Sequence, residues 1–256
     1  MTALPDGARI CSVTGLVLVP AAGETGWRIA KTSYGPLNPP LRSNDLDADP
    51  ASWGRFDTRG GRTVYLAATR ECALAEVLAY QRRKLGERDS LAKDAAFLGV
   101  EVADLVATVE HEWQDRGHPP PGHVGKGWRT ERAMYEIPLP DNGWWVLLEH
   151  PDSIAAAEAA LEDQLASVGV GELDVGVLRG HNRDATVLLA SWVCDADLDD
   201  GSKAHGIRFE SRHATGGVWA HWIRPDGRGP VYVGTAIDES DEDLIRVADR
   251  IGLRIW

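Results

Sequence analysis

Residues 54–78, GRFDTRGGRTVYLAATRECALAEVL, limit the fold more than any other stretch of this chain. Three arginines and three glycines fall within the first twelve residues. The glycines imply a tight turn or a close backbone approach, and the guanidiniums beside them imply an anionic neighbour. Arg62–Ala67, RTVYLA, is β-branched and aromatic, which predicts a strand. A helix is predicted over residues 69–85, with Thr69 as N-cap and Glu71 near the positive end of its dipole. Leu74, Val77, Leu78 and Leu85 share one helical face and form its core stripe. Glu76 points to another side, with Cys72, Ala73, Ala79 and Tyr80, where it either meets solvent or lines a cleft.

Around this loop–strand–helix unit the pattern predicts a mixture of elements. Strands are expected at residues 16–19 and 27–30, followed by a long polar, proline-bearing loop from SYGPLNPP to SNDLDADPASWG. A loop of that length inside a domain is functional or disordered as a rule. Strands are expected at 96–102, in WWVLLEH, and at 186–194, 217–223 and 231–234. Helices are expected at 153–166 and in the terminal ESDEDLIRVADRIGLRIW, and the PPP of HEWQDRGHPPPGHVGKGW implies a rigid extended loop. Trp144 and Trp145 cannot both face inward on one regular strand. With no internal repeat and no clear linker, residues 1–256 are expected to form one α+β domain, a mixed sheet core with flanking helices.

Composition narrows the partners. Acidic residues outnumber basic ones, 39 to 27, for a formal net charge of -12. A polyphosphate backbone needs a basic face, so direct nucleic-acid binding is not expected, although the composition leaves room for a local basic pocket. Cys11, Cys72 and Cys194 form neither a CxxC pair nor a zinc spacing, which points to a reduced, cytoplasmic setting. The first residues lack a secretory pattern, and the longest apolar runs are about half of a membrane span, so no membrane association is expected. His111, His118 and His123 near Glu112 lack an HExxH spacing and read as scattered loop histidines, with no metal site.

The residues that can carry chemistry form a set. Arg55, Tyr65 and Glu76 stand ten and eleven residues apart, on a loop, a strand and a helix that a single sheet can bring to one end. A second region, GIRFESRHATGGVWAHW, has Ser211, Arg212 and His213 interrupting a strand-like run. Taken singly, each has a structural reading: a loop-bracing arginine, a cross-strand tyrosine, a solvated glutamate, a turn serine.

Three blocks, WRIAKTSYGPLNPP, GRFDTRGGRTVYLAATRECALAEVL and GIRFESRH, resemble the signature blocks of the RES-domain family in order and spacing. They cover about a fifth of the chain, and residues 86–200 depart from the family pattern as a longer, divergent segment. The resemblance implies an ADP-ribosyltransferase-like fold and a toxin of a bacterial toxin–antitoxin pair that binds NAD and cleaves its nicotinamide–ribose bond. NAD is then the substrate and no other cofactor is implied. It implies catalytic roles for Glu76, Arg55 and Tyr65 and NAD-binding roles for Arg28, Arg55, Tyr65 and Ser211. The ADP-ribose passes to water, to phosphate or, in an ADP-ribosyltransferase, to a protein. The implied partner is a cognate antitoxin, in a hetero-oligomer or beside a homo-oligomer. A reading from another class stands beside it: a catalytically silent protein-binding module of the same fold, gripping its partner through some of the ten tryptophans.

Overall fold

A computed structural model describes residues 3–82, 87–116, 122–224 and 232–256. Its elements run β1 (Arg9–Ile10), β2 (Val17–Pro20), β3 (Thr25–Lys31), β4 (Thr63–Ala67), α1 (Arg70–Leu78), α2 (Glu87–Leu98), α3 (Val102–Asp115), β5 (His123–Val124) and α4 (Lys126–Thr130). They continue with β6 (Arg132–Pro138), β7 (Trp144–Val146), α5 (Pro151–Ser167), α6 (Val175–Arg179), α7 (Arg183–Asp195), β8 (Gly206–Glu210), β9 (Gly217–Trp222), β10 (Thr235–Ala236), α8 (Glu242–Ile251) and β11 (Arg254–Ile255). Nine strands form one sheet in the order β1-β2-β7-β8-β9-β4-β3-β6-β10. Only the β7–β8 pair in it is parallel, so the sheet is mixed and the class is α+β.

Side-chain alternation divides the sheet into two apolar faces. Leu18, Ala67, Val146, Val218, Ala220 and Trp222 belong to a large core that includes helix residues such as Leu74, Leu161, Leu189 and Leu244. Their strand neighbours Val19, Leu66, Trp145 and Trp219 belong to a smaller core on the other face. The adjacent tryptophans separate as the pleat requires: Trp145 is fully buried, while Trp144 is partly exposed and donates to Asp200 at 2.7 Å.

One pairing positions the site. β3 meets β6 over seven residue pairs and β4 meets β9 over five, but β3 and β4 pair only at Trp27 and Ala67. Beyond that point the two strands diverge, and the sheet opens between them.

Several sequence expectations fail. Residues 96–102 are not a strand: α2 runs to Leu98, Gly99 takes a left-handed φ of 68°, and α3 begins at Val102. Val102, Leu105, Val106, Val109 and Trp113 recur at helical spacing, and Gly99 supplies the helix stop. Residues 186–194 lie within α7, capped by Asn182, whose side chain accepts from Ala185 N. Buried Thr186, Val187, Leu189, Ala190 and Val193 follow a helical period, which overrides the strand preference of their β-branched members. His111 lies in α3 and His123 in β5 rather than in a loop. α1 ends at Leu78 and tightens into a 3-10 turn at Ala79–Gln81, short of the expected residue 85. Residues 232–234 pair with no strand, and pairing resumes at Thr235. Leu85, His118, the PPP segment and Val231 lie outside the described residues.

Candidate functional site

The divergence of β3 from β4 opens a cleft of about 750 Å³, counting its mouth. Trp27, Arg28 and Ile29 line one side, and Tyr65, Leu66 and Ala67 the other. α1 closes a third wall with Ala73, Glu76 and Val77, and the 3-10 turn that follows it adds Tyr80. That face sits beside the Leu74 and Leu78 stripe, both fully buried, so the helix packs its core and presents Glu76 to the cleft in the same turn. Thr69 caps the helix by accepting from Cys72 N at 3.1 Å.

The loop before β4 is tied to the strand by a buried carboxylate. Asp57, 2% exposed, accepts from Arg42 Nε at 2.5 Å, from Gly54 N at 2.9 Å and from the Tyr65 hydroxyl at 2.9 Å. That hydroxyl in turn accepts from Phe56 N at 2.8 Å. Burial first, and then the Asp57 charge, pushes the Tyr65 hydroxyl well above its ordinary range, so it stays a proton donor. With its hydroxyl engaged by Asp57 and Phe56 N, the Tyr65 side chain forms part of the cleft wall. Gly54 permits the close approach: a Cβ there would lie 2.5 Å from the Tyr65 hydroxyl and 2.7 Å from Asp57 Oδ1. Gly60, with φ of 65°, makes the turn that returns the chain to β4. Arg59 and Arg62 are used structurally, donating to the carbonyls of Asp45 and Pro39 to brace the preceding loop.

Arg55, 7% exposed, packs over Phe209 at 4.5 Å and Phe56 at 5.1 Å from the ring centroids. Burial, and then repulsion from Arg212, lowers its guanidinium to about 10, which still leaves it charged at neutral pH. Its one hydrogen bond among the described residues goes to the Leu178 carbonyl at 3.4 Å. Arg28 reaches across the strand split to donate to the Tyr65 carbonyl at 3.1 Å, and among the described residues its buried Nε has no partner. Burial lowers its affinity for its proton below the ordinary arginine value.

Glu76 is held from the loop that joins β8 to β9. Ser211, 9% exposed, donates to Glu76 Oε1 at 2.5 Å while its oxygen accepts from His213 N and Ala214 N, both at 3.0 Å. The single hydroxyl proton of Ser211 is thus directed at the carboxylate. Arg28, Arg55, Tyr65 and Glu76 all line the cleft, and Ser211 joins it through Glu76.

Residues 25–139 match the RES domain. The RES match takes in β3, the Asp57 loop, β4 and α1, which bring Arg28, Arg55, Tyr65 and Glu76 to the cleft. It covers just under half of the chain and stops short of Ser211. No curated protein and no solved structure matches the chain. The sequence reading did not assign Asp57, Arg183 or Arg212 to the site. Arg212 was legible as one of the polar residues breaking the run after β8, and the FDT spacing gave no sign that Asp57 would fold back on Tyr65. Arg183 starts a helix that its sequence presents as a strand.

Proposed function

We propose that the cleft binds NAD and cleaves the bond between nicotinamide and ribose, and that the chain is the NAD-depleting toxin of a toxin–antitoxin pair. The observation that carries this reading is the convergence of unneutralised arginines, an immobilised tyrosine ring and one serine-held carboxylate on a single cleft, in a chain whose residues 25–139 match the RES domain.

The chemistry follows from these groups. A diphosphate is met by guanidiniums that have no carboxylate of their own, so binding relieves buried charge instead of competing for it. Among the described residues, Arg55 and Arg28 donate to backbone carbonyls and form no ion pair. The nicotinamide ring packs on the Tyr65 face, whose rotation is prevented by its hydrogen bonds to Asp57 and Phe56. As the C–N bond breaks, its electron pair leaves with nicotinamide and positive charge develops on the ribose. The Glu76 carboxylate stabilises that charge, and the Ser211 hydrogen bond fixes its direction before the reaction begins. Neutral nicotinamide needs no proton to depart. Water or phosphate then captures the sugar, giving glycohydrolase or phosphorylase activity. Capture by a protein side chain would instead give mono-ADP-ribosylation.

Purified protein incubated with NAD, with and without phosphate and with cell extract, should release nicotinamide, and the fate of the ADP-ribose identifies the acceptor. Absence of release in all arms, from antitoxin-free protein, refutes the enzymatic reading and leaves the silent binding module.

A further inference from the structure

The C-terminal end of α6 gathers arginines from three separate parts of the chain. Arg55 donates to the Leu178 carbonyl at 3.4 Å, Arg212 to the Arg179 carbonyl at 2.6 Å, and Arg183 to the Gly180 carbonyl at 3.1 Å. Three consecutive carbonyls thus orient three guanidiniums, and all three side chains line the cleft. Arg183 is fixed further by its Nε, which donates to the Trp53 carbonyl at 3.2 Å. The proximity has an electrostatic signature, since Arg212 is the foremost charge disfavouring protonation of Arg55.

No described carboxylate lies in ion-pair contact with Arg55, Arg183 or Arg212. Glu149, the acid next to this cluster, is already committed to Arg179 through hydrogen bonds of 2.9 and 2.6 Å. Glu76 is held by Ser211. Three cations brought together in a partly buried site repel one another; Glu76 and Glu149 favour the charged form of Arg55, but burial and Arg212 outweigh them, and an anion with more than one charge placed among the three guanidiniums relieves the remainder. A carbonyl directs a guanidinium without cancelling its charge, and each arginine keeps further N–H donors for a ligand.

We propose that Arg183 and Arg212, with Arg55, form the binding site for the two adjacent phosphoryl groups of a nucleoside diphosphate, and that they set the cleft's preference for diphosphate-bearing ligands. Naming that ligand as the ADP-ribose portion of NAD rests on the proposed function; the diphosphate site itself does not depend on cleavage.

Calorimetric titration of the full chain with ADP-ribose, ADP, AMP, adenosine and inorganic phosphate tests this without any turnover. Affinity should rise at least about tenfold from AMP to ADP and ADP-ribose, and inorganic phosphate should bind more weakly than either diphosphate. Arg183→Ala and Arg212→Ala should each lower ADP-ribose affinity about tenfold or more, the cost of one charge-assisted hydrogen bond, while lowering adenosine affinity far less. Equal loss for all ligands marks the two arginines as structural and overturns the proposal. So does a wild-type protein that binds AMP as tightly as ADP, a result that needs no variant to fold. Diphosphate binding without nicotinamide release would retain this site and reject the cleavage reading.

Discussion

Tyr65 offers the sharpest separation of structural from chemical roles, because its hydroxyl makes the hydrogen bonds and the proposed function gives its ring the packing against nicotinamide. Tyr65→Phe removes only the oxygen. Asp57 Oδ1 then loses a donor at a position 2% exposed, and Phe56 N loses its acceptor. A hydrogen bond to a charged group contributes about 1.5–3 kcal/mol and a neutral one about 0.5–1.5, so the variant should lose roughly 2–4 kcal/mol of stability. For a chain of this size each kcal/mol lowers the melting temperature by about 2–4 °C, giving a fall of roughly 4–16 °C. Arg55 sits inside the loosened loop, so the kinetic damage should fall first on KM for NAD.

The ring remains in Tyr65→Phe, and kcat should drop less than in Tyr65→Ala, which removes the packing surface as well. Differential scanning calorimetry together with nicotinamide-release kinetics on both variants reads these quantities. A Tyr65→Phe protein that melts like the wild type but loses turnover as completely as Tyr65→Ala would refute the reasoning. The hydroxyl would then act in the chemistry and its bond to Asp57 would be incidental.

Four further outcomes are expected. Glu76→Gln should abolish nicotinamide release while retaining NAD binding, and Ser211→Ala should lower kcat roughly ten- to a hundredfold, the value of a hydrogen bond to a charged group expressed in the transition state; single-turnover kinetics with parallel binding titrations separate the two effects. Gly54→Ala forces a Cβ into the Tyr65–Asp57 contact and should cost about 1–3 kcal/mol while weakening NAD binding, measured by urea unfolding and titration. Burial, then the neighbouring His205, lowers His221 to about 4, so the unfolded chain takes up this proton more readily than the folded one. Stability from this group is complete above its unfolded value near 6.5 and falls as pH drops toward 4, by about 2 kcal/mol between pH 7.5 and 5; His221→Gln should shrink that difference in urea unfolding curves.

Legibility in the sequence followed the range of the interactions. The unit from Arg55 to Glu76 could be read because its order, loop then strand then helix, is local, and Thr69 caps α1 as its identity requires. The separation of Trp144 from Trp145 follows from the pleat alone. The α7 segment was misread because Thr186, Val187 and Val193 favour strands locally, while the burial that makes them helical comes from distant elements. The cleft was beyond reach for a similar reason. It arises where β3 leaves β4 after one residue pair, and no residue in either strand announces that departure. Asp57 resembles an ordinary loop acid until the fold places Arg42, Gly54 and Tyr65 around it.

A physical distinction among the arginines explains how an acidic protein keeps a cationic cleft. Arg42 pairs with Asp57, Arg179 with Glu149, Arg70 with Asp241 and Asp243, and Arg246 with Glu71. Those pairs spend positive charge on holding the fold together. Among the described residues, the four arginines of the cleft instead donate to carbonyls: Arg28 to Tyr65, Arg55 to Leu178, Arg183 to Gly180 and to Trp53, and Arg212 to Arg179. Carbonyl anchoring alone does not define the site, since Arg59 and Arg62 brace a loop in the same way. What defines it is carbonyl anchoring combined with burial around a shared space. There the charge is directed but not neutralised, so the local field favours an anion even though the chain carries a formal charge of -12. Among the described residues, the charged groups that a small ligand meets in the cleft are its four arginines and Glu76, so the cationic surplus there is local and does not need a basic face on the whole chain.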